Sequence, residues 1–160
     1  MIVLAGFMGA GKTTVGRLLA GTLRVPFLDS DHVIEARAGR SIPEIFAADG
    51  EPVFRALEHE VIADLLRGPD VVLALGGGAA EHEETGKLLA PVPVVFLRVS
   101  YPEAMARLAG DRDRPMLARP DIAEVFERRQ AVYAQAAKVT VDVDGRDPAD
   151  IAQEILAALP

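Results

Sequence analysis

The sequence predicts an α/β fold, a mostly parallel sheet covered by helices, and three observations carry that prediction. Short β-branched runs alternate with longer stretches of helical periodicity. The first such run leads straight into a glycine-rich loop and then a helix. The chain of 160 residues, 50% hydrophobic, can bury one core and is too short to divide into two, so a single domain over residues 1–160 is expected.

Strands are predicted at Ile2 to Ala5, Pro26 to Leu28, Val71 to Leu75, Val94 to Val99 and Val139 to Val143. Their brevity and β-branched content favour strands over buried helical turns. Between them, Val15, Leu18, Leu19 and Leu23 fall on one helical face expected to meet the core, as do Leu57, Val61, Ile62, Leu65 and Leu66. Ser41-Ile42-Pro43-Glu44 and Ser100-Tyr101-Pro102-Glu103 read as capping boxes with proline in the first turn. Asp147-Pro148 opens a last helix that carries Ile151, Ile155, Leu156 and Leu159.

Composition narrows the function. Cysteine is absent, which removes disulfides and thiolate metal sites and suits a reducing, cytoplasmic setting. A net charge of −7 with no run of basic residues argues against nucleic acid as a partner. Met1 leads directly into Ile2 with no basic leader, and the apolar run there is far too short for a signal or a membrane span. His32, His59 and His82 share no spacing that forms a metal site and are expected to be solvated or to support other groups.

Gly6-Phe7-Met8-Gly9-Ala10-Gly11-Lys12-Thr13 fits the phosphate-binding pattern G-x-x-x-x-G-K-[ST] in full, between a predicted strand and a predicted helix. Glycine lets such a loop fold with its N–H groups pointing at a phosphate, and the helix adds its positive end. Gly9, Ala10, Gly11, Lys12, Thr13 and Thr14 are therefore the nucleotide-binding candidates. Lys12 is expected to neutralise the β- and γ-phosphates and Thr13 to ligate Mg2+.

Asp29 and Asp31 follow the second strand at i and i+2, which would put both carboxylates on one side of an extended backbone at the ligand-binding edge of the sheet. Asp29 is then the second metal candidate, and Asp31 is expected to orient and deprotonate an acceptor hydroxyl. The alternative for Asp31 is a helix cap. Gly76, Gly77 and Gly78 end the third strand without side chains, leaving room for a ligand against the backbone. Arg55 and Glu58, at i and i+3, would let the glutamate orient the guanidinium toward a ligand, an ordinary surface ion pair being the alternative. Arg114 lies in the charged segment Asp111-Arg112-Asp113-Arg114, read as a lid that brings this arginine to the transferring group.

Taken together these residues resemble shikimate kinase. The likeness comprises residues 6 to 12, Asp29-Ser30-Asp31, Ile45-Phe46, Gly50-Glu51, Phe54-Arg55-x-x-Glu58, Gly76 to Gly78, Arg114-Pro115-Met116-Leu117 and Arg129-x-x-x-Tyr133. It implies a P-loop three-layer α/β/α fold with a five-stranded parallel sheet, a small helical substrate-binding subdomain at about 32–60 and a lid at about 110–121. It further implies that Arg55 and Arg129 grip the shikimate carboxylate, that Asp31 and the backbone around Gly78 hold ring hydroxyls, and that Phe46 and Phe54 line the pocket. Arg107 and Arg146 correspond to the arginines that flank adenine. The cofactors implied are ATP and Mg2+, the partner is the small molecule alone, and the protein is expected to be a cytoplasmic monomer. Met116 stands where leucine is usual, a nearly volume-neutral exchange. The Arg129 segment lacks the proline often found before the tyrosine, so Arg128 is the alternative carboxylate ligand. A gluconate or nucleoside monophosphate kinase is the rival within this architecture; a GTP switch is the rival outside it, and the chain contains no asparagine for the usual guanine-reading motif.

Overall fold

Five parallel strands, β1 (Ile2–Ala5), β2 (Phe27–Asp29), β3 (Val72–Ala74), β4 (Val94–Arg98) and β5 (Val139–Asp142), form one sheet in the order β2-β3-β1-β4-β5. The coordinates are a computed structural model that describes residues 1–111 and 115–160. Eight helices accompany the sheet among these residues: α1 (Lys12–Leu23), α2 (Ser30–Ala38), α3 (Ile42–Asp49), α4 (Glu51–Arg67), α5 (Glu83–Leu89), α6 (Tyr101–Leu108), α7 (Ile122–Ala136) and α8 (Pro148–Ala158).

Neighbouring residues of a strand face opposite sides of a sheet, and both Val3 and Leu4 of β1 are fully buried, so helices cover both faces. β1 lies between β3 and β4, with Val3 beside Leu73 and Leu4 beside Val95. The chain runs outward from β1 to β2, returns to β3 and then crosses to β4. The strand order therefore changes direction at β1, and the crevice beyond its carboxyl end is where ligands bind in such sheets. The segments after β1, β2 and β3 all leave from that edge.

A second, smaller core lies apart from the sheet. Ile34, Ile45, Phe54 and Val61, from α2, α3 and α4, pack together with Phe46 half-buried against them. Thus the helices between β2 and β3 form their own apolar cluster above the sheet edge.

Helix ends follow the local chemistry with one difference from expectation, and α1 differs in the face it buries. Ser41 forms a complete capping box with Glu44. Ser100 accepts from the Glu103 N–H, but Glu103 turns its carboxylate to Arg107, and Asp144 takes the Ser100 N–H instead. On α1, Val15 and Leu19 are buried as expected, whereas Leu18 and Leu23 are 41% and 43% exposed. The buried stripe runs through Val15, Gly16, Leu19 and Ala20, rotated away from both leucines. No helix among the described residues is long and apolar enough to cross a membrane.

Candidate active site

Residues 6–11 connect β1 to α1 with Gly9 and Gly11 at φ 81° and 91°, values that glycine adopts without strain. Lys12 folds back over this loop and donates from Nζ to the carbonyls of Gly6 at 2.6 Å and Phe7 at 3.2 Å. Arg107 braces the loop from outside. Its Nη1 donates to the Gly9 carbonyl at 3.1 Å, its Nη2 to the Val143 carbonyl at 3.2 Å, and its Nε to Glu103 at 2.9 Å. Arg146 is held by the Asp142 carbonyl at 2.9 Å and Glu154 at 2.6 Å.

One cavity of about 1230 Å³ joins these groups to the acidic pair. Gly9, Ala10, Gly11, Lys12, Thr13 and Thr14 line it, as do Arg107 and Arg146, and so do Asp29, Asp31, Phe46, Gly76, Gly77 and Arg129. The nucleotide candidates and most acceptor candidates thus share one space. Phe54, Arg55 and Gly78 stand behind its wall; Arg114 lies outside the described residues.

The acidic pair is arranged differently from its expected extended geometry. β2 ends at Asp29 and α2 begins at Ser30, so Asp31 already sits in the first helical turn. Asp29, not Asp31, is the cap: its Oδ1 accepts from the Asp31 N–H at 2.9 Å. That leaves the Asp31 carboxylate free of capping and facing the cavity. Burial raises its pKa above the ordinary carboxylate value, the charge of Asp29 raises it further, and Lys12 and Arg55 pull in the opposite direction.

Each glycine of the triplet admits one functional side chain. A Cβ at Gly76 would collide with Asp31 Oδ1, one at Gly77 would lie 3.0 Å from Arg129 Nη1, and one at Gly78 would collide with Arg55 Nη2. The triplet, two of whose glycines line the cavity, thus also stands against three candidate side chains. It is itself pinned from both sides. The buried Ser30 hydroxyl accepts from the Gly76 N–H at 2.9 Å, and the buried Tyr133 hydroxyl donates to the Gly77 carbonyl.

Arg55 donates from Nη1 to Glu58 at 2.7 Å, as the i, i+3 spacing suggested, and lies 5.1 Å over the Phe54 ring. Glu58 is 1% exposed. Burial pushes its carboxyl up, and the Arg55 charge and hydrogen bond oppose the shift. Phe54 stacks under Phe46 with ring centroids 4.7 Å apart, so Phe46 faces the cavity and Phe54 supports it. Of the two adjacent arginines, Arg129 is 9% exposed and lines the cavity, whereas Arg128 is 58% exposed and outside it.

Sequence reasoning gave no role to Ser30, Glu81 or Tyr133. Ser30 stands between two singled-out aspartates and Tyr133 closes a motif, which were the signals available. It also missed that His59 and His82 converge, each with Nδ1 near the Thr85 hydroxyl at 3.2 and 3.3 Å. No cluster of three or more metal-ligating side chains occurs among the described residues.

A phosphate-cradling loop after the central strand, sharing one cavity with a raised-pKa carboxylate and a buried arginine, defines a P-loop phosphotransferase acting on a small molecule. The family model described as shikimate kinase matches residues 8–160, and the chain belongs to the shikimate kinase family. Shikimate kinase of Pseudomonas syringae pv. tomato is 45% identical over 99% of this chain and 95% of its own. That of Mycobacterium avium is 44% identical over 99% and 92%. Among solved structures, shikimate kinase from Acinetobacter baumannii in complex with shikimate superposes with a TM-score of 0.90 at 38% identity, covering 97% of this chain and 89% of that one. The enzyme from Aquifex aeolicus gives 0.86 at 38% identity, covering 98% and 94%. A gluconokinase from Sinorhizobium meliloti, at 20% identity and a TM-score of 0.60, covering 98% and 89%, shares the fold alone.

Proposed function

We propose that the protein transfers the γ-phosphoryl group of ATP to the 3-hydroxyl of shikimate, giving shikimate 3-phosphate and ADP in the synthesis of chorismate and the aromatic amino acids. The observation that carries this reading is the convergence of Asp31, Arg55 and Arg129 on one glycine triplet that borders the phosphate loop's cavity. Two cations and one carboxylate suit an acceptor that bears both an acid group and an alcohol. They suit gluconate less well on family grounds, since the likeness to gluconokinase extends only to fold.

In this reading Arg55 and Arg129 bind the shikimate carboxylate and fix the ring over Phe46. Asp31 accepts the proton of the 3-hydroxyl as that oxygen forms its bond to the γ-phosphorus and the bond to the ADP oxygen breaks. A raised pKa makes Asp31 a stronger base, while the charges of Lys12 and Arg55 favour its ionised form. Lys12 leaves the Gly6 and Phe7 carbonyls to meet the phosphates. Arg114, assigned by the family pattern, shares the charge of the transferring group. Arg107 and Arg146 flank the adenine end.

Thr13 and Asp29 fit as holders of Mg2+, because both line the cavity and the Asp29 carboxylate keeps acceptor capacity beyond its capping bond. Bound there, the ion would neutralise phosphate charge. The α2 to α4 cluster acts as the substrate-binding subdomain, with residues 110–121 as the lid, and the protein works as a cytoplasmic monomer. The test is a coupled ADP-release assay with ATP, Mg2+ and a panel of shikimate, quinate, gluconate and nucleoside monophosphates. Turnover confined to shikimate is expected; preferred turnover of any other acceptor overturns the reading.

A further inference from the structure

Glu81 ends the 3-10 turn Ala79–Glu81 that follows the glycine triplet directly. Its two oxygens divide between two neighbouring arginines: Oε1 accepts from Arg128 Nε at 2.7 Å, and Oε2 accepts from Arg129 Nε at 3.0 Å. The carboxylate is 22% exposed and the Arg129 side chain 9%. Burial alone would raise the Glu81 carboxyl, but the bonds from Arg128 and Arg129 outweigh it and hold the pKa below the ordinary value. Both arginines thus favour the charged form of Glu81.

A guanidinium can grip a carboxylate in two ways, side-on through Nε and one Nη, or end-on through both Nη groups. Glu81 occupies Nε of Arg129, which leaves only the end-on fork. Nη1 of that fork lies 3.0 Å from the position of a Gly77 Cβ, and Arg129 and Gly77 line the same cavity. A single carboxylate between two adjacent cations also relieves their repulsion, so Arg129 need not swing outward as Arg128 does.

We propose that Glu81 is a positioning residue for substrate binding: by holding Arg129 at Nε it dictates end-on capture of the acceptor's carboxylate. This rests on the reading that shikimate is the acceptor and Arg129 its ligand. Glutamine at position 81 has one acceptor oxygen, and its amide would face an arginine N–H, so it can hold only one of the two arginines.

The test is steady-state kinetics on wild type, Glu81→Gln, Arg129→Lys and the double variant, with shikimate and ATP varied separately. Glu81→Gln is expected to raise the KM for shikimate about tenfold, with kcat within about twofold and the KM for ATP unchanged. In the Arg129→Lys background, which has no fork to aim, the same change should have no further effect on that KM. An unchanged or lowered KM in Glu81→Gln overturns the proposal, and so does an equal rise in the lysine background. If Glu81→Gln does not fold, Glu81→Asp, too short to span both arginines, carries the same expectations. Wild type that fails to phosphorylate shikimate overturns the underlying reading and this inference with it; active wild type with an indifferent Glu81→Gln overturns the inference alone.

Discussion

Asp31 Oδ1 occupies the space that any side chain at Gly76 would need. The colliding atom is the tip of a flexible side chain, so an added methyl would displace the carboxylate and leave the fold intact. Gly76→Ala is accordingly expected to lower kcat by about 100-fold, the scale of a lost general base, with ATP affinity preserved. Rates together with a thermal melt check this; a variant with near-normal kcat would show that Asp31 is not confined as described.

The same carboxylate costs stability. Its pKa is raised in the folded state, so its contribution is most favourable at low pH and is lost as the pH rises through the folded value. Asp31→Asn should abolish turnover yet raise the melting temperature at neutral pH. The gain should shrink toward acid, where wild-type Asp31 is protonated. Melts of both proteins across pH would expose a constant or reversed difference. In the active enzyme, the acid limb of kcat/KM should lie above the usual carboxylate range.

Arg55 neutralises Glu58 and, in the proposed reading, also binds the acid group of the acceptor. Arg55→Ala should raise the KM for shikimate while sparing ATP, and destabilise the fold by about 2 kcal/mol because Glu58 is left buried and unpaired by that arginine. Adding Glu58→Gln should recover most of the stability and none of the substrate affinity. Denaturant melts and kinetics on the pair of variants separate the two roles.

Arg107 ties the Gly9 carbonyl to the Val143 carbonyl. Arg107→Ala should weaken ATP binding about tenfold, leaving the KM for shikimate unaltered, as read by nucleotide titration. Equal loss for both substrates would mean that the brace supports the whole sheet edge rather than the loop.

The strands, the phosphate loop and the family were legible because each depends on local pattern: β-branched brevity, glycine spacing and a lysine at a fixed offset. What could not be read depends on distant partners. Ser30 meets Gly76 46 positions away, Glu81 meets Arg128 and Arg129 at 47 and 48, and Tyr133 meets Gly77 at 56. Local reading also misjudged α1, where periodicity grouped Leu18 and Leu23 with buried Val15 and Leu19. Side-chain type alone does not say how wide the covered stripe is. For the acidic pair, the expected neighbourhood was right and the expected backbone was not, since the helix starts one residue after the strand ends.

Lys12 resting on the Gly6 and Phe7 carbonyls bears on selectivity among anions. A phosphate that enters the loop draws that ammonium off two carbonyl oxygens, so part of its attraction offsets contacts already made. A polyphosphate, which brings several charges at once, offsets that exchange more readily than a single small oxyanion does.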